Sequence, residues 1–526
     1  MRRNSPKISI TLFLILGMNI FFTAHGLPSC AMEDEERRDR LMHPDLPEDP
    51  RYHARAVDGE KSSEYWLNQG KKFVETKTTT PLNKKKAKNV IMFLGDGMGL
   101  TTTAAARNLL GGEHAELSFE KFPHVGLAKT YSVDKIVSDS ANTATAYLCG
   151  IKTLYGTLGV NGMVERGNCQ TMLDKANHVS SIAQWAIDAG KSAGVVTTTR
   201  ITHASPAGAY AHISERDWED DTEVVKSCGR ESGIDDIALQ LIHGETGGKF
   251  KVMMGGGRRH FEDSSLQGKG KRSDGRNLID EFKAESPRNA YVETKEELAN
   301  LNLQEVDRVL GLFHDSHFDF HLDTNVESST QPTLEEMTRR TIELLSQDDN
   351  GYFVFIEGGR IDSAHHDNTP RKALDETVEF SKAIQLAREM TSEEDTLIVV
   401  TADHSHAFSF NGYPYRGSDI FAASPTKPND KIPMMVLSYS NGPGYEKFYD
   451  AVNGVRHDPT TVMKAEPNDV YPATFPRDSE THGGEDVAVY ASGPWSHLFT
   501  GVYEQNAIPH IMAYALCVGK GLKACD

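Results

Sequence analysis

The sequence predicts an α/β fold with a large central, mostly parallel β-sheet flanked by helices. From about residue 86 onward, short apolar runs alternate with stretches of helical periodicity, a pattern typical of strands joined by helical crossovers. The chain has 526 residues, of which 38% are hydrophobic and 25% charged, so it can bury a large core and has the composition of a globular protein.

The amino terminus predicts export. Three basic residues precede the apolar run Ile8–Phe22, which at about 15 residues is short for a membrane span and is typical of a secretory signal peptide. Small residues suit cleavage after Gly26 or after Ala31, so we assign the signal to residues 1–26 and leave the second site open. An uncleaved membrane anchor is the alternative interpretation.

The mature chain is predicted to contain one large domain after a charged leader. Residues 27–60 are rich in acidic and basic side chains, and we expect them to be flexible. Residues 61–526 carry the alternating pattern of the main domain. Between about 408 and 475 that pattern fades into a segment rich in Gly, Pro and Tyr, which indicates a loop-rich insertion with weak strands.

Six strands and six helices stand out within the main domain, because each has the length and periodicity of its type. The strands are predicted at Asn89–Leu94, Gly194–Thr198, Phe250–Met254, Tyr352–Ile356, Thr396–Val400 and Asp486–Tyr490. The helices are predicted at Glu64–Val74, Thr101–Leu110, Ala141–Leu148, Ile182–Ala189, Leu334–Leu345 and Arg371–Met390.

Export to an oxidising compartment makes the cysteines informative. Cys517 and Cys525 are close in sequence and can close a small loop, whereas Cys169 and Cys228 can close a longer one. Cys149 follows a run of small helical residues and is predicted to be buried and free. Sequence alone leaves the pairing open.

The net charge argues against nucleic-acid binding. Lys and Arg number 56 against 75 Asp and Glu, a formal charge of −19, which repels polyanions over most of the surface. An acidic protein that acts on an anionic substrate needs locally concentrated positive charge. Bound metal ions are one source of such charge.

Acidic residues and a histidine follow three of the predicted strands. The first strand leads into Asp96, the strand at Tyr352–Ile356 leads into Glu357, and the strand at Thr396–Val400 leads into Asp403 and His404. In open α/β sheets ligands bind beyond the carboxyl ends of the strands. The sequence therefore predicts a functional site at this edge of the sheet.

Further residues suit metal ligation. Asp362 and His366 are four positions apart, so a helix would direct both toward one ion, and His482 lies in a glycine-rich loop. Any one such pair is more often a surface or capping group, and Asp403-His404 alone could begin a turn. Because several such pieces fall at strand ends or in glycine-rich loops, we predict a multi-metal site; no CxxC or HExxH motif supports a different zinc site.

Ser140 is the candidate nucleophile. It precedes a run of small residues, and a serine at the amino end of a helix faces free backbone N–H groups and the positive end of the helix dipole. Simple helix capping by Asp139 or Ser140 is the alternative interpretation. Ser192 lies in a Gly-x-Ser-x-Gly match, but it follows a predicted helix and precedes a strand, which is the reverse of the hydrolase arrangement, so we exclude it.

Together these motifs resemble the animal alkaline phosphatases, in order, from about residue 62 to the end of the chain. The matching segments are Gly95-Asp96-Gly97-Met98-Gly99, Asp139-Ser140-Ala141, Thr202-His203-Ala204-Ser205-Pro206-Ala207-Gly208, Glu357-Gly358-Gly359-Arg360-Ile361-Asp362, Thr401-Ala402-Asp403-His404-Ser405-His406 and Thr481-His482. The resemblance implies a homodimer, with Tyr413 at the subunit interface and the insertion at 408–475 as the family's crown.

The resemblance also implies a role for each matched residue. It implies two Zn²⁺ and one Mg²⁺ per subunit, Ser140 as the nucleophile that becomes phosphoserine, and Arg216 as the clamp on two phosphate oxygens. Without the family, Arg216 would be interpreted as an exposed ion-pair residue. The implied ligands are Asp362, His366 and His482 for one zinc, Asp403 and His404 for the other, Asp96 between zinc and magnesium, and Ser205 and Glu357 for magnesium, with His203 near magnesium and the substrate phosphate.

The implied reaction is hydrolysis of phosphate monoesters at alkaline pH. A phosphodiesterase of the same superfamily is the first alternative, but a two-pronged arginine and a full magnesium set are less useful for a diester. A sulfatase is disfavoured because Ser140 is not in a C/S-x-P-x-R context. A catalytically silent binding protein is the last alternative, and it would be expected to have lost a ligand or the nucleophile.

The sequence departs from the family pattern in three places. Ser363 stands where vertebrate members have a histidine. His314 and Gln331 replace two acidic residues of the vertebrate calcium site, so we expect that site to be absent or weakened. The chain stops at Asp526 without an apolar tail, so we expect a secreted, extracellular and soluble protein without a lipid anchor.

Overall fold

The computed structural model describes residues 37–38, 41–42, 59–265, 270–324 and 328–526. The chain divides into two units, Met1–Glu48 and Asp49–Asp526. In the first unit, the four described residues are helical and exposed. The predicted signal peptide and most of the predicted leader lie outside the described residues.

A ten-stranded sheet forms the centre of the second unit, in the order β17-β2-β16-β8-β1-β7-β3-β4-β6-β5. Each neighbouring pair is parallel except the two pairs that involve β16. The strands are β1 (Asn89–Gly95), β2 (His124–Lys129), β3 (Ser192–Arg200), β4 (Val252–Gly256), β5 (Asn289–Val292), β6 (Arg308–Leu312), β7 (Tyr352–Gly358), β8 (Thr396–Ala402), β16 (Val487–Ser492) and β17 (Gly501–Glu504). The predicted fold class is confirmed.

The central strands read as continuous apolar runs because helices cover both faces of the sheet. Every residue of β7 and β8 is buried. In the register of the sheet, Gly95 at the end of β1 pairs with Gly358 on one side and Ala402 on the other. The carboxyl ends of these three strands are therefore level, and the residues that follow them converge on one edge.

Sixteen α-helices lie in the described part of the second unit. They are α1 (Ser63–Thr79), α2 (Leu100–Gly111), α3 (Ser140–Cys149), α4 (Cys169–Leu173), α5 (Ile182–Asp188), α6 (Ala204–Ala207), α7 (Asp221–Cys228), α8 (Ile237–His243), α9 (Leu278–Glu285), α10 (Lys295–Asn300), α11 (Leu334–Leu345), α12 (Arg360–His366), α13 (Pro370–Met390), α14 (Gly444–Phe448), α15 (Pro459–Val462) and α16 (Ala507–Leu516). Local sequence sets several ends: Thr333 and Glu336 form a capping box on α11, and Pro370 occupies the first turn of α13.

Helix α3 is buried along its whole length, which explains its run of small residues. All ten residues from Ser140 to Cys149 are buried. Asp139 caps the helix by accepting hydrogen bonds from the backbone N–H groups of Ala141 and Asn142. A Cβ on Gly208 would lie 2.5 Å from the Cβ of Ala144, so the segment after α6 packs directly against α3. The helix is thus fixed beneath the edge where the strands end.

The insertion contains a small three-stranded sheet in the order β10-β11-β14 and a short β12-β13 pair. Two further two-residue strands, β9 and β15, pair with each other at the sheet edge. The bounds are β9 (Ser405–His406), β10 (Phe408–Phe410), β11 (Leu437–Gly442), β12 (Tyr449–Asp450), β13 (Val455–Arg456), β14 (Ala473–Pro476) and β15 (His482–Gly483).

All six predicted strands and all six predicted helices are present, with ends that differ by a few residues. Four strands of the main sheet were not predicted: β2, β5, β6 and β17. Strand β2 alternates exposed or half-buried with buried residues, and β17 is exposed or half-buried throughout, so neither has the continuous apolar run of a central strand. No helix among the described residues is both long and apolar enough to cross a membrane.

Candidate active site

The carboxylates predicted at the strand ends meet at one edge of the sheet. Asp96 follows β1, Glu357 is the penultimate residue of β7, and Asp403 follows β8; all three are fully buried. One oxygen of Asp403 accepts hydrogen bonds from the backbone N–H groups of Gly97 and His404, each 2.9 Å long. These two bonds lock the turn after β1 to the turn after β8.

Gly97 is required by this turn. Its φ of +68° is in the left-handed region, and a Cβ at this position would lie 2.3 Å from Nε2 of His406. A side chain at position 97 would therefore be unfavourable for two reasons, the backbone conformation and the contact with His406.

The first predicted zinc set is brought together. Helix α12 presents Asp362 and His366 on one face, with His366 Nε2 3.3 Å from Asp362 Oδ1. His482, from the glycine-rich loop, places its Nε2 3.4 Å from the same Asp362 oxygen and 3.2 Å from His366 Nε2. The three ligand atoms therefore surround one point.

Hydrogen bonds fix the tautomer of both histidines. The Nδ1–H of His366 donates to the backbone carbonyl of Glu480 over 2.6 Å, and the Nδ1–H of His482 donates to that of Ser138 over 2.8 Å. With each Nδ1–H engaged in this way, Nε2 is the ring nitrogen left to bind a metal.

The second predicted set surrounds the nucleophile. His404 Nε2 lies 3.1 Å from Asp403 Oδ2 and 3.6 Å from Asp96 Oδ1. The hydroxyl of Ser140 lies 3.2 Å from His404 Nε2 and 3.5 Å from Asp96 Oδ1. The Nδ1–H of His404 donates to the carbonyl of Ser405, so its Nε2 also carries a lone pair.

The predicted magnesium residues lie behind Asp96. One oxygen of Glu357 accepts hydrogen bonds from the hydroxyls of Thr197 and Thr199 on β3, and its other oxygen has no protein partner. Ser205, on α6, is fully buried, and its hydroxyl lies beside Glu357 and Tyr147 without a well-aligned hydrogen bond. Carboxylate and hydroxyl oxygens are the ligands that magnesium prefers.

Arg216 is held at the amino end of α3. Its Nη1 donates to Asp139 Oδ2 over 3.0 Å, and its Nη2 lies 3.0 Å from Nε2 of His203. Arg216 therefore forms an ion pair, but with its side chain 18% exposed it is not the exposed surface residue that the interpretation without the family expected. Burial would lower the pKa of Arg216, but Asp139 outweighs it and the pKa is raised.

Burial and mutual repulsion raise the pKa values of three carboxyl groups of the site. Burial raises the pKa of Asp96 well above its ordinary value, and the charges of Asp403, Asp362 and Glu357 raise it further. Burial likewise raises the pKa of Asp403, and it raises that of Glu357 to about 7. Buried carboxylates with raised pKa values need a compensating cation to be ionised.

Neighbouring charges and hydrogen bonds outweigh burial in setting the pKa values of Asp362 and His366, whereas burial dominates the pKa values of His404 and His203. Burial alone would raise the pKa of Asp362, but the charge of His366 and the bonds to its imidazole neighbours lower it well below the ordinary value. The pKa of His366 is raised because Asp362 outweighs burial. Burial lowers the pKa values of His404 and His203 well below the ordinary value, helped by His482 in the first case and Arg216 in the second.

Two site residues were missed by sequence reasoning. His406 donates from both ring nitrogens, to Asp362 Oδ1 over 2.9 Å and to Glu480 Oε2 over 2.5 Å. Burial would lower the pKa of His406, but the two carboxylates raise it to about 10. His406 ends the matched segment Thr401–His406, two positions after His404, and Glu480 is two positions before His482, but neither residue was assigned a role.

The residues present fit a set of bound cations. Four buried polar atoms of the predicted metal ligands have no hydrogen-bond partner. They are Asp96 Oδ2, Ser205 Oγ, Glu357 Oε1 and Asp403 Oδ2. Orphaned carboxylate oxygens in a buried site are costly unless a cation binds them. Side chains able to bind a metal come close together here in three overlapping groups, which include the six predicted zinc ligands together with His406 and Glu480: Asp362/His404/His406/His482, His366/His406/Glu480 and Asp96/Asp403/His404.

The remaining predicted residues lie away from this cluster. The structure joins Cys169 to Cys228 and Cys517 to Cys525, and it leaves Cys149 buried and free. Tyr413 is 58% exposed on the insertion.

The positions implicated in the calcium expectation carry other contacts. His314 Nδ1 accepts a hydrogen bond from the backbone of Ser316, and Gln331 exchanges two hydrogen bonds with Asp319. The weakening of a calcium site here stays a prediction.

Comparisons with known proteins find one family along most of the chain. A family model described as alkaline phosphatase matches residues 87–518. The chain is 45% identical to the membrane-bound alkaline phosphatase of Bombyx mori over 490 residues, covering 89% of this chain and 87% of the relative. It is 44% identical to the human tissue-nonspecific isozyme over 486 residues, covering 89% and 91%.

Solved structures agree on the fold. The alkaline phosphatase of Thermus thermophilus superposes with a TM-score of 0.60 at 22% identity, covering 85% of this chain and 95% of that one. The enzyme of the Antarctic bacterium TAB5 superposes with a TM-score of 0.57 at 24% identity, covering 83% and 100%. The resemblance found in the sequence is confirmed: this chain is an enzyme that belongs to the alkaline phosphatase family, in its animal-type branch.

Proposed function

We propose that this enzyme hydrolyses phosphate monoesters through a phosphoserine intermediate on Ser140, at a site for two zinc ions and one magnesium ion. The observation that carries the proposal is the position of the Ser140 hydroxyl. It lies at the amino end of a buried helix, within 3.5 Å of both His404 and Asp96, beside partnerless carboxylate oxygens and the Arg216 fork.

The metal sites follow from the donor types. Asp362, His366 and His482 would hold one zinc, and Asp403, His404 and Asp96 the other, because imidazole with carboxylate suits zinc. Asp96, Ser205 and Glu357 would hold magnesium. Bound there, the ions would lower the pKa of the attacking hydroxyl and of water and stabilise negative charge on the entering and leaving oxygens.

Ser140 would act as the nucleophile in the first step. Its oxygen forms a bond to phosphorus as the bond to the alcohol oxygen breaks, and the alcohol departs. Water then attacks the phosphoserine, which releases inorganic phosphate and restores the Ser140 hydroxyl. The amino end of α3 favours the negative phosphoryl group at this position through the helix dipole.

Arg216 would bind the phosphoryl group in both steps. Asp139 and His203 each hold one of its terminal nitrogens, so the guanidinium is fixed in one orientation at the end of α3. A planar fork can bind two phosphate oxygens at once. A monoester offers the unesterified oxygens that such a clamp requires, which favours monoesters over diesters.

The wider expectations rest on the same family. We infer a homodimer with Tyr413 at its interface. We also infer a secreted, soluble protein that retains the charged leader 27–60 after removal of the signal 1–26, with residues 61–526 as its catalytic domain and the insertion 408–475 as the crown. No nucleic-acid partner is expected because the net charge is −19.

The test is hydrolysis of a chromogenic phosphomonoester and of the matching diester at alkaline pH. The wild type, Ser140→Ala and the exposed-site control Ser440→Ala would be assayed before and after chelation, and after zinc and magnesium are added back. We expect monoester turnover that chelation abolishes, that both metals restore, and that only Ser140→Ala lacks. Preferred turnover of the diester would assign a phosphodiesterase, and no turnover by metal-loaded protein would assign a binding protein.

A further inference from the structure

Glu480 lies at the centre of the contacts that hold the first predicted zinc site together. Its side chain is 0% exposed, and each carboxylate oxygen has one partner. Oε2 accepts from Nδ1 of His406 over 2.5 Å, and Oε1 accepts from the backbone N–H of Ala407 over 2.6 Å. Burying a carboxylate is costly, and two short charge-assisted bonds offset that cost here.

The main chain of Glu480 holds a predicted ligand as well. Its carbonyl accepts the Nδ1–H of His366 over 2.6 Å, and its own N–H donates to the carbonyl of His366 over 3.0 Å. The first bond fixes the His366 tautomer and directs its Nε2 toward Asp362. One residue thus constrains both His366 and His406.

Hydrogen bonds through His406 also link the carboxylate of Glu480 to Asp362. His406 Nε2 is 2.9 Å from Asp362 Oδ1, so the imidazole bridges two carboxylates. The ring of His365 lies 4.8 Å from that of His406 and limits its rotation. Asp362 is therefore oriented by a chain of contacts whose other end is Glu480.

Glu480 also lies in the loop that carries His482. It precedes His482 by two residues, and β15 pairs with β9 so that His482 lies opposite His406. The loop that carries His482 therefore closes onto the strand-end segment through the two-residue ladder and through the carboxylate of Glu480. Without that carboxylate, the side chain of His406 and the loop lose their common buried anchor.

We propose that Glu480 is a positioning residue: it fixes His406 and the His482 loop so that Asp362, His366 and His482 converge on one zinc ion. The inference rests on the proposed function, because it assumes that these three residues bind zinc. Glu480 itself touches neither substrate nor the reacting atoms.

The test compares Glu480→Gln with Asp478→Asn, an exposed control in the same loop with the same change of charge. The affinity of the metal-free enzymes for zinc would be measured by competition with a chromogenic chelator. We expect Glu480→Gln to bind zinc about 10–100-fold more weakly, the range seen when groups that orient ligands are removed, and Asp478→Asn to match the wild type. We also expect added zinc to restore most of the kcat of Glu480→Gln, which a general loss of structure would not allow.

Each contrary outcome has one meaning. If the wild type binds zinc and Glu480→Gln binds it equally well, the inference is wrong and the proposed function stands. If the wild type hydrolyses the monoester without binding zinc, the proposed metal site is wrong, and this inference with it. If Glu480→Gln does not fold, Glu480→Asp takes its place, since the shorter carboxylate keeps the charge but cannot reach both partners; zinc affinity equal to that of the wild type would then overturn the inference.

Discussion

The carboxylate of Asp139 and the guanidinium of Arg216 form an ion pair, with 3.0 Å between Oδ2 and Nη1. The same carboxylate caps helix α3, where it accepts from the backbone of Ala141 and Asn142, and it also accepts from the N–H of Gly156. Asp139 therefore joins the element that carries the nucleophile to the side chain proposed to bind phosphate.

Asp139→Asn tests this connection. Asparagine caps helices as well as aspartate does, so α3 should remain intact, while Arg216 loses its charged partner. We expect KM for a monoester and the inhibition constant of inorganic phosphate to rise by roughly tenfold, about 1.4 kcal/mol of lost orientation. Asp458→Asn is the control because Asp458 caps the short helix α15 in the insertion. Unchanged phosphate inhibition in Asp139→Asn would contradict the proposed coupling.

Tyr147→Phe tests a buried hydroxyl near the predicted magnesium residues. Tyr147 is fully buried on α3, its ring stacks on Phe355, and its hydroxyl lies beside that of Ser205 without a well-aligned hydrogen bond. Burial raises its pKa well above the ordinary value and the charge of Asp403 adds to this, so the hydroxyl stays protonated and can donate. We expect the variant to bind magnesium about two- to tenfold more weakly, the equivalent of one hydrogen bond.

The matched control for this variant is Tyr210→Phe. Tyr210 is also buried, but its hydroxyl already donates to the carbonyl of Ile201 over 2.8 Å. That variant should lose about 1 kcal/mol of stability and keep its magnesium affinity. Calorimetric titration of the metal-free proteins with magnesium separates the two results, and equal affinities in all three proteins would remove Tyr147 from the site.

Much of this site could be predicted because strand ends and local spacing are properties of the sequence. Asp96, Glu357 and Asp403 each follow a recognisable apolar strand, and a four-residue spacing on a helix brings Asp362 and His366 together. The register of the sheet then makes the strand ends level, as expected for parallel strands.

The contacts of His406 and Glu480 could not be predicted in the same way. They are 74 positions apart, and they meet because two-residue strands pair across the site. Such short ladders leave no periodic signal. Similarly, the edge strand β17 escaped prediction because its four residues are exposed or half-buried and form no apolar run. Tertiary pairing, and not local propensity, determines these parts of the structure.

Gly97→Ala separates backbone strain from steric contact. Gly97 and Gly112 both have positive φ angles, +68° and +90°, but a Cβ on Gly97 would meet His406 at 2.3 Å whereas one on Gly112 would meet nothing within 4 Å. We expect Gly112→Ala to cost about 1–3 kcal/mol from strain alone, because its φ of 90° and ψ of −170° lie in a region that essentially only glycine adopts. Gly97→Ala should cost several times more or displace His406, and with it lose most activity.

Urea unfolding of both glycine variants, with zinc affinity measured on the folded fraction, checks this prediction. Equal destabilisation would mean that His406 moves aside freely. In that case the turn after β1 would owe its glycine to conformation alone, and the zinc affinity of Gly97→Ala would match that of Gly112→Ala.

We expect Glu376→Gln to change how the free energy of unfolding depends on pH. Glu376 is buried on α13, its Oε1 accepts from the backbone N–H of His321, and burial raises its pKa from the ordinary 4.5 to about 7. Since the folded state favours the protonated form, no penalty exists below pH 4.5. The penalty grows as the pH rises from 4.5 to 7, because the unfolded chain ionises first, and it is constant above 7.

The size of that penalty follows from the shift. A difference of roughly 2.5 pKa units corresponds to about 3 kcal/mol, as an order of magnitude. Glutamine keeps a carbonyl oxygen for the His321 N–H and has no charge to desolvate. Glu376→Gln should therefore be more stable than the wild type at pH 8 and nearly equal to it at pH 4.5. Chemical unfolding of the metal-loaded proteins at both pH values, with the exposed-site variant Glu389→Gln as control, measures the difference; a gain of the same size at both pH values would show that Glu376 is not protonated in the folded state.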